Sequence, residues 1–244
     1  AGGPYIAYPR QPRRTQERVP VNALYIGQVL EAVGVDHVMV MDVHNVAAFE
    51  NAFRCSVDLL EAAPLLADRV AEQAGGQPVS IVSPDFGGAK RAQRVQELVA
   101  ARLGAPVDFA ILEKRRDNGE VTGDLIIGPV TGRHAVVVDD LVSAGTTILR
   151  AVQACRAAGA LSVTAFATHG VFAPGAERLL EPGGPDRLYV TDTLLPTRLA
   201  PPPGIAAKLD DLPASGLFAE ALRRIGAGES VVALREMERK RPAR

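Results

Sequence analysis

An alternation of two kinds of segment constrains this chain more than any other feature. The short apolar runs are Val38-Met39-Val40-Met41, Val79-Ser80-Ile81-Val82, Phe109-Ala110-Ile111-Leu112, Ala135-Val136-Val137-Val138, Val163-Thr164-Ala165-Phe166 and Arg187-Leu188-Tyr189-Val190. Such runs suit strands buried on both faces of a parallel sheet. Between them, residues 22–33, 62–74, 91–103 and 147–158 are rich in Ala, Leu and Arg and place apolar residues at helical spacing. Gly34 and Gly159 follow the first and last of these, where a glycine closes a helix. Strands alternating with helices predict βαβ units and an α/β fold with doubly wound, mostly parallel sheets.

Composition removes several function classes. A length of 244 residues accommodates one large or two ordinary domains, and a hydrophobic share of 47% excludes a disordered chain. The 27 basic residues against 28 acidic ones give a net charge of −1, so no global field draws the chain to nucleic acid or a membrane surface. No run reaches the roughly 18 uninterrupted apolar residues of a spanning helix. Cys55 and Cys155 have no neighbouring Cys or His at ligand spacing, which makes a reduced, cytoplasmic setting the expectation. Trp is absent, so the core must be aliphatic. Ala1-Gly2-Gly3-Pro4 is no signal peptide, and Tyr5 reads as a strand end running into a loop, so a trimmed start or a missing upstream piece is expected. Towards the other end, Pro201-Pro202-Pro203-Gly204 reads as a surface turn before a final helix near residues 217–225. Ser230-Val231-Val232-Ala233-Leu234 reads as an edge strand, and residues 235–244 as a solvated tail.

The segment with the most chemical content runs from Val136 to Thr147: an apolar strand, the adjacent carboxylates Asp139 and Asp140, then Ser143, Ala144, Gly145, Thr146 and Thr147 opening a helix. In an open α/β sheet ligands bind beyond the carboxyl ends of strands. Small and hydroxyl residues at a helix start offer backbone N–H groups and hydroxyls to an anion, and the helix dipole adds to the attraction. Residues 143–147 are therefore expected to hold a phosphate. The two aspartates would repel it and suit sugar hydroxyls or Mg²⁺ better.

This run resembles the phosphoribosyl-pyrophosphate loop of type I phosphoribosyltransferases and ribose-phosphate pyrophosphokinases. Three further segments distinguish the branches. Ser83-Pro84-Asp85-Phe86-Gly87-Gly88-Ala89-Lys90-Arg91 resembles the pyrophosphokinase pyrophosphate loop, with Asp85 placed to serve a metal directly or through water. Met41-Asp42-Val43-His44 reads as a strand end with Asp42 and His44 on one face, and it resembles the family's Asp-x-His metal motif. Glu113-Lys114-Arg115-Arg116-Asp117-Asn118-Gly119-Glu120 has the composition of a solvated loop but resembles the family's catalytic flexible loop, in a shorter form. Near the start, Arg10 and Gln11 resemble an Arg-Gln pair that contacts ATP, with Pro12 standing where the family usually has Asp.

The resemblance extends from about Tyr5 to Leu234 and implies two phosphoribosyltransferase-like domains, the first incomplete. Residues 1–58 would be the remnant of the N-terminal domain, 59–216 the C-terminal domain, and 217–244 a terminal helix, edge strand and tail. It implies transfer of pyrophosphate from ATP to ribose 5-phosphate, giving phosphoribosyl pyrophosphate and AMP. Asp139, Asp140 and residues 143–147 would bind substrate, Lys114 and Arg116 would be catalytic, Arg10 and Gln11 would touch the nucleotide, and His44 and Asp85 would serve Mg²⁺. A homo-oligomer, hexameric in the family, is implied, with neither nucleic acid nor membrane as partner. Two alternatives stand beside this reading: a non-catalytic regulatory subunit, and a phosphoribosyltransferase that consumes the product.

Overall fold

The computed structural model describes residues 5–6, 22–117, 120–194 and 207–236, with the backbone alone at 114–117, 120–123 and 235–236. Arg10, Gln11, Pro12, the 201–204 turn and the end of the tail lie outside the described residues. The chain divides into two units, one formed within Ala1–Glu61 together with Ala221–Arg235, the other spanning Ala62–Glu220.

In the smaller unit, helix α1 (Asn22–Ala32) leads to strand β1 (His37–Met41), helix α2 (Val46–Glu50) and strand β2 (Ser56–Leu60). The two strands pair in parallel, from His37 opposite Ser56 to Met41 opposite Leu60. Ala23, Val38, Val40, Phe49, Ala52 and Phe53 form their core, and α1 crosses so close that a Cβ on Gly27 would lie 2.3 Å from the Ala52 carbonyl oxygen. Asn45 caps α2 by accepting the Ala48 N–H at 2.9 Å.

The larger unit carries α3 (Ala63–Gln73), β3 (Val79–Ser83), α4 (Ala89–Leu103), β4 (Asp108–Asp117), β5 (Glu120–Ile127), β6 (His134–Val142), α5 (Thr146–Ala157), β7 (Ser162–Gly170), β8 (Arg187–Thr191), β9 (Leu209–Leu212) and the start of α6 (Ser215–Gly226). Its seven strands lie in the order β5-β4-β3-β6-β7-β8-β9, every neighbouring pair parallel except β4 with β5. The apolar runs alternate between the two faces, as residues one apart in a strand must. Val82, Ala110, Leu112, Val137, Ala165 and their neighbours pack with Ile148, Ala151, Val152 and Cys155 of α5. Tyr189 stacks on Phe166 at 4.6 Å between centroids, and Arg69 of α3 lies over the Tyr189 ring. Gly159 ends α5 as expected: its N–H reaches the Arg156 carbonyl while Ala160 N–H reaches that of Cys155, and its φ of +84° suits glycine alone.

Four expectations are corrected. Residues 230–234 are no edge strand; Val232–Glu236 is a short 3₁₀ helix, and only Leu234 of its described side chains is buried. β1 stops at Met41, and Asp42 has φ +41°, so the two-residue alternation that would put Asp42 and His44 on one strand face does not reach them. The segment 113–120 is no open loop: β4 continues to Asp117 and returns from Glu120, which makes it a hairpin. Finally, β6 runs beyond Asp139 and Asp140 to Val142. In the last two cases ladder pairing with a neighbouring strand outweighs the low strand preference of charged residues.

Phe166 is fully buried in the ring stack, and removing it leaves a void that its rigid neighbours cannot close. Phe166→Ala is expected to cost about 3–5 kcal/mol. Equilibrium urea unfolding reads this directly, and a midpoint equal to the parent's would contradict the packing described.

Candidate active site

The site grows from the pairing of β3 with β6. From β3 the chain passes through α4 to β4 on one side, and from β6 through α5 to β7 on the other. Where adjacent parallel strands send their connections in opposite directions, the loops beyond their carboxyl ends part and leave a crevice. The loop from Ser83 to Gly88 borders it on one side, and the loop from Ser143 to Gly145 on the other.

Each loop has a local reason for its shape. Ser83 Oγ donates to the Asp85 carbonyl at 2.7 Å, and Asp85 Oδ1 accepts the Gly88 N–H at 3.0 Å, which turns the chain into α4. Phe86 between them is 65% exposed. On the other side Gly145 opens α5 with φ +75°, and a Cβ there would lie 2.6 and 2.7 Å from the Leu179 side chain. Glycine is required there by both conformation and space. Thr146 and Thr147 then begin a helix whose first turn holds no acidic side chain, leaving its N–H groups open to an anion.

Asp139 and Asp140 stand at the end of β6 between these loops. The Asp140 N–H donates to Asp139 Oδ1 at 2.8 Å. Arg91, in the first turn of α4, brings Nη1 to 3.9 Å from Asp139 and Nη2 to 3.6 Å from Asp140. Burial, reinforced by Asp140, pushes the Asp139 carboxyl up to about 8, and Arg91 only partly offsets this. Sequence reasoning assigns Arg91 no role, although its position carries a signal. Lys90 and Arg91 sit at a helix start, where the dipole disfavours cations, so they imply facing anions.

The structure therefore brings Asp85, Asp139, Asp140 and residues 143–147 to one sheet edge of the larger unit. Lys114 and Arg116 belong to the β4 backbone of that unit, opposite Asp124 and Val121 of β5. His44 belongs to the smaller unit, exposed just before α2. Among the described residues no three ligating side chains gather into a metal site. Asp85 has one carboxylate oxygen committed to Gly88 and the other left for a ligand, the hard donor that Mg²⁺ prefers.

A family model described as phosphoribosyl synthetase-associated domain matches residues 115–235. The ribose-phosphate pyrophosphokinase of Pasteurella multocida is 37% identical over 233 residues, 95% of this chain and 71% of that protein. That of Granulibacter bethesdensis is 35% identical over 232 residues, covering 95% of this chain and 72% of its own length. The chain belongs to the ribose-phosphate pyrophosphokinase family. The crystal structure of phosphoribosylpyrophosphate synthetase from Mycobacterium smegmatis agrees in fold, with a TM-score of 0.76 at 27% identity, over 93% of this chain and 71% of that one. At 233 residues the match is longer than the larger unit, so the kinship extends into the smaller one.

The aspartate pair has a consequence for pH. The folded state holds the Asp139 proton with an affinity near 8 against an ordinary 3.8, so the stabilisation from that proton is complete below about pH 4 and is lost as pH rises through 8. Asp139→Asn removes this titration and should gain stability relative to the parent between pH 5 and pH 8. Urea midpoints at the two pH values test the sign; a constant offset would show that the carboxyl titrates normally.

Proposed function

We propose that this chain acts as a ribose-phosphate pyrophosphokinase, as its relatives are named. The observation that carries the reading is the crevice between β3 and β6, with a small-residue helix start on one side, a Gly-Gly loop on the other, and paired aspartates between. Residues 143–147 hold the 5-phosphate of ribose 5-phosphate by backbone N–H groups and the Thr146 and Thr147 hydroxyls. Asp139 and Asp140 accept from the ribose hydroxyls, which favours the ionised carboxylates that burial disfavours. The anomeric oxygen attacks the β-phosphorus of ATP, the bridge from that phosphorus to the α-phosphate breaks, and AMP leaves.

Such a transfer needs alignment and charge stabilisation more than covalent catalysis. Lys114 and Arg116 on the hairpin meet the transferring phosphoryl oxygens, and Arg10 and Gln11 touch the nucleotide. Mg²⁺ supplies positive charge to the ATP phosphates. Asp85 of the larger unit would serve Mg²⁺, with most of the ion's shell coming from phosphate and water oxygens, and His44 of the smaller unit would also serve Mg²⁺. The smaller unit, in this reading, derives from the N-terminal phosphoribosyltransferase-like domain and the larger one is the C-terminal domain. The setting is the cytoplasm, and the assembly a homo-oligomer. No described helix is long and apolar enough to cross a membrane.

Two variants separate binding from turnover. Thr147→Ala removes one charge-assisted hydrogen bond and should weaken ribose 5-phosphate binding about ten- to a hundredfold by calorimetry. Lys114→Ala should lower AMP release by about 10²–10³ while leaving that affinity nearly unchanged, because its contact strengthens as charge shifts in the transition state. A parent protein that releases no AMP, yet alters the rate of an active relative when mixed with it, would replace this reading with the regulatory one.

A further inference from the structure

An ion pair used by nothing above joins the hairpin of Lys114 and Arg116 to the helix of the phosphate loop. Arg150, one turn along α5 from Thr146, donates from Nε to Asp124 Oδ2 at 2.9 Å and from Nη2 to Asp124 Oδ1 at 2.6 Å. Two parallel N–H···O bonds fix direction as well as distance, unlike the loose pairs of a surface. The side chains are 29% and 20% exposed, so solvent competes only in part. The Asp124 carboxylate, through these hydrogen bonds, raises the guanidinium pKa above its ordinary value. The antiparallel register sets Asp124 directly opposite Lys114, and the ladder shifts between Arg115 and Arg116. Lys114 is thus paired in the backbone ladder with Asp124, whose two carboxylate oxygens are both engaged by α5.

We infer that Asp124 and Arg150 form a positioning pair, coupling the stem of the Lys114–Arg116 hairpin to helix α5 so that the hairpin keeps a fixed relation to the phosphate loop. The inference rests on the proposed roles of residues 143–147 and of Lys114. Neither Asp124 nor Arg150 need touch substrate. A two-stranded ribbon twists readily on its own, and the β4–β5 ladder shifts register within the stem. A rigid link from its return strand to the helix that starts at the phosphate loop opposes that twist, and phosphoryl transfer is sensitive to displacements of about an ångström.

The test is steady-state AMP release from ATP, ribose 5-phosphate and Mg²⁺, at a temperature below the melting onset of every variant. Arg150→Ala is expected to lower kcat about tenfold with KM for ribose 5-phosphate changed less than about twofold, since the phosphate loop itself is untouched. Asp124→Asn should fall similarly, and the double variant no further, as for two halves of one device. Arg150→Lys, which keeps the charge but not the fork, should recover part of the loss. A parent-like kcat in Arg150→Ala with only a lowered melting temperature overturns the inference, as do single losses that multiply in the double variant. Lys114→Ala, assayed alongside, separates the two levels. If it turns over like the parent, the catalytic reading of the hairpin fails; if it is crippled while Arg150→Ala is not, only the positioning role fails.

Discussion

The candidate site of the larger unit depends on the parallel ladder between β3 and β6, in which Val79, Ser80, Ile81 and Val82 lie opposite His134, Ala135, Val136 and Val137. Among the described parallel neighbours of the large sheet, these are the two from which the chain departs in opposite directions, toward β4 and toward β7. Their carboxyl ends must therefore open onto a gap that no crossover covers. Into that gap the sequence delivers a Gly-Gly turn, two aspartates and a glycine-led helix start. Buried aliphatic side chains on both faces hold the ladder, so the position of the gap is set by packing far from any substrate.

Electrostatics then sharpens the gap. Burial, and then the neighbouring Asp140 carboxylate, make ionisation of Asp139 costly, which is why Asp139 resists it. Arg91 offsets only part of this, at ion-pair distances too long for tight hydrogen bonds. With Asp139 neutral, Asp140 and Arg91 carry one charge of each sign, so ionisation of Asp139 changes the net charge of the group, a pattern found more often at functional sites than in ion pairs that only hold a fold together.

Much of this was legible in the sequence. The six apolar runs all become strands, because Val- and Ile-rich tetrads without polar alternation have few other ways to be buried. The helix ends at Gly34 and Gly159 were equally legible, since a left-handed residue there has a sequence signature. What escaped notice depends on partners distant in sequence. β2, at residues 56–60, has only intermediate burial until Leu60, so its apolar signal is weak. β5 is a strand because β4 runs antiparallel beside it, and the charged stretch 113–117 is a strand for the same reason. Of the site, the segments were readable from their local composition. The Arg91 and Arg150 contacts were not, because the sequence separations of 48 and 26 residues that they bridge carry no periodic signal.

The discontinuity of the smaller unit bears on how the protein comes into being. Its core is built from residues 6–59, yet its other segment, Ala221–Arg235, leaves the ribosome only after Ala62–Glu220, the bulk of the larger unit. Most of the larger unit lies in one stretch, Ala62–Glu220, which is complete before Ala221–Arg235 is made. The smaller unit is therefore interrupted in synthesis: its closing segment follows the whole stretch that holds β3, β6 and residues 143–147.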